Sequence, residues 1–174
     1  MNICGRVSRR AVLLISAIVL AAAAACDRST VERAERDEVT HMASEEPAMR
    51  RAFEQARSSL DDFLRLAASP QEGTSDYALK VAISDGRNTE YFWVIRFTNT
   101  GDVFTGYLAN EPRLVKRYKQ GERFQFDRKQ IVDWTYIDNR TNRMMGNFTA
   151  CALLTKEPPA QAEAFRQKYG LRCE

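Results

Sequence analysis

Two carboxylates, one histidine and four cysteines are the side chains here with the means to do chemistry, and their positions narrow what that chemistry is. Glu111 and Asp133 each stand beside an aromatic segment, Tyr107-Leu108-Ala109-Asn110-Glu111 and Ile131-Val132-Asp133-Trp134-Thr135-Tyr136. Brought together, they could serve as general acid and general base. The competing reading of Asp133 is a side chain that bonds a neighbouring turn. His41 lies in a polar stretch with no second histidine, so it reads as a solvated residue and not as a base or a metal ligand. Ser-His and Cys-His pairs are thereby denied to the rest of the chain, and no Gly-rich phosphate loop or C-x-x-C is present. On these grounds we assign no catalytic residue, no metal ligand and no cofactor.

The cysteines are read through their compartment. Arg6, Arg9 and Arg10, an apolar run from Ala11 to Leu20 and the small residues Ala21 to Ala25 have the pattern of an export signal over residues 1–25. The apolar run is too short to span a bilayer, which takes roughly 20 residues. Small residues ending at Cys26 resemble a bacterial lipobox, with Ala23 where Leu is usual, and imply that Cys26 is lipidated and begins the mature chain; plain cleavage after Ala25 is the alternative. Ser8-Arg9-Arg10-Ala11-Val12-Leu13 is similar to a twin-arginine export motif. These readings place the protein at the periplasmic face of a membrane. Cys4 leaves with the signal, so Cys151 and Cys173 face an oxidising space, where pairing is the default; two buried free thiols are the alternative.

Charge excludes one class of partner. Three of the 26 Lys and Arg lie in the export segment, which leaves 23 against 23 Asp and Glu. A chain so balanced has no excess of cations to neutralise phosphates, and no nucleic-acid partner is expected.

The elements that must position these residues begin after residues 26–46, a polar stretch that reads as a flexible tether because it has too little apolar surface to offset ordering entropy. Residues 47–174 read as one domain. Met49, Ala52, Phe53, Ala56, Leu60, Phe63, Leu64 and Ala67 recur at steps of three and four, which predicts a helix from Pro47 to Ala68 with one apolar stripe. Alternation then predicts strands at 77–83, 91–97, 103–109, 123–126 and 131–137, a weaker one at 114–118, and a last one at 144–154 with Gly146 inside it. In the first, Lys80 falls on the face opposite Leu79, Val81 and Ile83; the second is apolar on both faces, which calls for cover on both. Gly106 marks a bulge or a close backbone approach. Pro158-Pro159 stops the last strand, and Ala160 to Tyr169 reads as a short helix ended by Gly170. The expected fold is α+β: an amphipathic N-terminal helix packed on a curled, mainly antiparallel sheet of about six or seven short strands, plus a short C-terminal helix.

Tyr91-Phe92-Trp93-Val94, Gly106 through Pro112, Ile131 through Tyr136 and Gly146-Asn147-Phe148-Thr149, in that order between Ala48 and Leu154, resemble the YegJ-like bacterial domain of unknown function (domain of unknown function 2314). The tail from Cys151 to Glu174 lies outside that pattern. The resemblance implies no activity for any of these residues.

Function is therefore expected from surface chemistry. Val132, Trp134 and Tyr136 share one strand face, and Trp and Tyr are preferred anchors at interfaces. With Asn110, Glu111 and Asp133 they form the candidate binding set; the competing reading is that Trp93 and Trp134 are core. The expectation is a lipid-anchored, non-enzymatic binding module for a protein or envelope component, one form being an immunity protein against a toxin. A carboxylate-dependent periplasmic hydrolase is the alternative.

Overall fold

The computed structural model describes residues 46–86 and 88–173; Cys26, His41 and the export segment lie outside the described residues. The first helical stretch is two helices, α1 (Pro47–Ser58) and α2 (Leu60–Ala68). Pro47 opens α1, where a missing N–H has no partner to lose. The predicted stripe is buried at Met49, Ala52, Phe53, Ala56, Leu60 and Phe63. One helix becomes two because Ser59 leaves helical geometry (φ −104°, ψ 2°), with its hydroxyl donating to the Gln55 carbonyl at 2.6 Å.

Six strands follow, β1 (Thr74–Ser84), β2 (Thr89–Thr100), β3 (Val103–Leu108), β4 (Arg123–Asp127), β5 (Ile131–Asp138) and β6 (Arg143–Gly146). They form an open antiparallel sheet in the order β4-β3-β2-β1-β5-β6. Residues 114–118 form no strand. β1 is central, pairing Leu79 with Val94 of β2 and with Trp134 of β5. Leu79, Val81, Phe92, Val94, Phe104 and Trp134 join Leu60 and Phe63 in one core; Met49 and Phe53 join Val132, Leu153 and Phe165 in another. Val132 therefore does not share a buried surface with Trp134, because the register shifts between Lys80 and Val81 and resets the alternation along β5. Gly106 is a close approach: a Cβ there would meet Val94 Cγ1 at 2.4 Å.

The last predicted strand is half strand and half helix. β6 stops at Gly146 (φ +73°), Asn147 is also left-handed (φ +53°), and Phe148–Leu154 forms α3. Two successive left-handed residues cannot continue a strand, and they turn the chain across Trp134, whose carbonyl would lie 2.2 Å from a Cβ on Gly146. The C-terminal helix α4 (Pro159–Tyr169) ends at the left-handed Gly170, as expected.

Cys151 of α3 and Cys173 form a disulfide, Cα atoms 5.4 Å apart, which holds the C-terminal segment against β6, where Met144 N–H donates to the Gly170 carbonyl and Leu171 bridges Met144. Replacing both cysteines by serine removes a closed segment worth about 3 kcal/mol in the chain-entropy account. The melting temperature of the double variant should fall on the order of 10 °C. A fall under about 2 °C would show that the closure adds nothing.

Candidate functional site

Asp133 is fully buried on β5, and its oxygens are all engaged. Oδ1 accepts from the amides of Trp134 (2.8 Å) and Phe148 (3.3 Å); Oδ2 accepts from the amide and the hydroxyl of Thr149, each at 2.7 Å. The carboxylate thus satisfies the first amides of α3 from a strand, as a capping residue does from the helix's own N-terminus. Lys80, 1% exposed and facing Asp133 across the β1–β5 register, donates to Thr149 Oγ1 at 3.0 Å, and its ammonium lies 4.4 Å from the centre of the Trp93 ring. Burial pushes the Asp133 carboxyl above the usual range, and the Lys80 charge and the Thr149 and Trp134 hydrogen bonds pull it back. Every polar atom here is spent on the fold. Asp133 presents no surface to a partner.

Glu111 is exposed in the loop after β3. Strands β2 and β1 stand between β3 and β5, a separation of about 14 Å at the usual strand spacing. The structure does not bring Glu111 and Asp133 together as an acid–base pair. Asn110 is a latch: its Oδ1 accepts from Trp93 N–H at 2.8 Å. The loop beyond it is held by Glu90, a residue that sequence reasoning missed. Its carboxylate, 6% exposed, accepts from the amides of Arg113, Leu114 and Val115 at 2.8, 2.9 and 3.0 Å, which turns residues 113–115 into a compact loop instead of a strand.

Of the expected binding set, Trp134 lines a cleft, a concavity of about 390 Å³ between α1, β6, α3 and the disulfide. Its indole is 8% exposed, with Nε1 donating to the Ala56 carbonyl (3.2 Å) and to Ser59 Oγ (3.1 Å). Met144, Met145 and Phe148 line the cleft beside it, all partly buried, and Phe148 meets Trp134 edge-on at 5.3 Å. Arg143 and Arg172 line it too, and neither makes an ion pair among the described residues. The same two arginines line an adjoining, wider cleft of about 540 Å³, where Arg166 is paired with Glu163 at 2.8 Å. Tyr136 does not line this cleft but is stacked beside Trp134, ring centres 6.2 Å apart, and on Tyr77 at 5.3 Å; burial, together with the charges of Tyr77 and Asp138, raises its phenol. Among the described residues, no three His, Cys, Asp or Glu side chains gather where a metal ion could be held.

A family model described as "Uncharacterized protein conserved in bacteria (DUF2314)" matches residues 46–173, and so runs through the C-terminal tail that the motif pattern left out. The chain is 30% identical over 121 residues to "Uncharacterized protein YegJ" of Escherichia coli (strain K12), across 70% of this chain and 76% of that protein. No solved structure matches.

Proposed function

This chain belongs to the DUF2314 family, and from that premise we propose that it is a non-enzymatic binding module of the cell envelope, anchored at the periplasmic face of a membrane through lipidated Cys26. Its cleft beside the disulfide engages a protein or envelope component. The observation that carries this reading is an apolar concavity lined by Trp134, Met144, Met145 and Phe148, with two arginines that have no carboxylate partner among the described residues. Small-ligand and peptide sites share that make-up: mostly apolar walls with a few polar groups that fix orientation. The Cys151–Cys173 disulfide fits an oxidising compartment. The hydrolase reading has no observation behind it, since its two carboxylates stand apart and one of them is a buried cap.

Photo-crosslinking in the native envelope tests the proposal. A crosslinker at Met145 should trap a discrete envelope partner, the adduct should vanish when Arg143 and Arg172 are both changed to Gln, and a crosslinker at the exposed Thr98 of β2 should trap none. Equal trapping from both positions would sink the cleft as the binding surface. Mass spectrometry of the mature N-terminal peptide tests the anchor, and an unmodified Cys26 would end it.

A further inference from the structure

The composition of the cleft specifies its occupant more closely, on the premise that the cleft is the binding surface. We infer that it takes the C-terminal end of a partner polypeptide, with the free carboxylate against Arg143 and Arg172 and the last apolar side chains against Trp134, Met144 and Met145. Four observations converge on this chemistry.

The first is charge. Among the described residues Glu163 is the one carboxylate that lines either of the two adjoining clefts, and it is paired with Arg166, so Arg143 and Arg172 have no carboxylate partner among the described residues where both clefts meet. Guanidinium forks match a carboxylate's two oxygens, and near apolar, poorly solvated walls such a pair outcompetes water. The second is apolar reach. Two methionines and a tryptophan give a wall that adapts to different side chains, since unbranched thioethers repack at low cost. The third is the amide of Gln55, exposed on α1 and lining the same cleft, whose side chain makes no hydrogen bond among the described residues. A peptide backbone offers N–H and C=O groups to such an amide, whereas an alkyl carboxylate offers nothing beyond its head. The fourth is preorganisation. Arg172 lies between Leu171, whose N–H donates to the Arg166 carbonyl at 2.9 Å, and the disulfide-bonded Cys173. Its backbone is fixed before any ligand arrives, which lowers the ordering cost of binding.

Calorimetric titration of the full chain in mild detergent with N-acetyl-Ala-Leu-Phe, as the free acid and as the C-terminal amide, tests the inference, with dodecanoate as the non-peptide carboxylate. The free acid should bind, the amide at least tenfold more weakly, and dodecanoate more weakly than the free acid. Changing Arg143 and Arg172 together to Gln should erase the difference between acid and amide; Arg172 is exposed and Arg143 half-buried, and an unchanged melting temperature confirms the fold. Equal affinity for acid and amide, tighter binding of dodecanoate, or no binding of the free acid would each overturn the inference. Its failure is distinguishable from failure of the broader reading: a partner trapped at Met145, with no preference for the free acid, leaves the cleft as the binding surface and removes only the chain-terminus assignment.

Discussion

Asp133→Asn destabilises the domain by about 3–5 kcal/mol, the range for removing one member of a buried, hydrogen-bonded charge pair. The substitution keeps the shape and changes one oxygen to an NH₂ group, so it passes for conservative. It is not, because each carboxylate oxygen already accepts from two donors. Turned toward the partners of Oδ1, its NH₂ group meets two amides and satisfies neither; turned toward those of Oδ2, it meets the Thr149 amide, which it cannot satisfy, and a hydroxyl that must rotate to accept, so α3 loses part of its cap either way. Lys80 then stays buried without the carboxylate charge that it interacts with in the native protein. Domains of this kind are stable by roughly 5–15 kcal/mol in total, so the loss is visible directly in a urea titration. A midpoint shift equivalent to less than about 1 kcal/mol would mean that the network contributes nothing net.

Phe63→Ala has a comparable expected cost, about 3–5 kcal/mol, for a different reason. Phe63 is 2% exposed and is the hub of the aromatic cluster: its ring stacks on Trp134 at 4.9 Å and lies 6.0 Å from Tyr77, 6.0 Å from Phe97 and 6.5 Å from Tyr136. Its removal leaves a cavity bounded by rigid rings, which cannot collapse as flexible side chains would. A cost below about 1 kcal/mol would show that α2 is not held to the sheet through this ring.

The sequence made the α+β class, the apolar stripe of the first helices, the strands from β1 to β5 and the pairing of the last two cysteines legible, because each has a local signature: a period, a turn residue or a compartment. What it hid is nonlocal. Lys80 alternates with Leu79 and Val81 as a solvent-facing residue does, and only the arrival of α3 over that face buries it. α3 itself was invisible because a seven-residue apolar run has no period that separates strand from helix, and because its cap, Asp133, comes from another element fifteen residues earlier. Glu90 opens a strand and reads as an edge charge until the loop beyond Pro112 folds back onto it. The cleft was hidden for the same reason. Trp134 reads as an anchor, but Arg143, Met145 and Arg172 meet it only through the β5–β6 turn and the disulfide.

The position of β1 bears on how quickly this protein reaches its native state. β1, β2 and β3 are neighbours in sequence as well as in the sheet, so their ladders close through short connections and can zip in succession, and β4 joins after the longer loop that follows Leu108. The other edge of β1 waits for β5: Thr74 pairs with Asp138 across the length of the intervening meander. Bringing those ends together has to be achieved before any ladder bond rewards it, which makes this contact the slow one. Until it forms, the strand at the centre of the finished sheet is an edge, and Lys80 stands at that edge in water. A lysine on an unpaired strand resists pairing with other chains. The cation that is costly to bury in the native state is thus, for as long as the sheet is open, a charge on an unpaired strand.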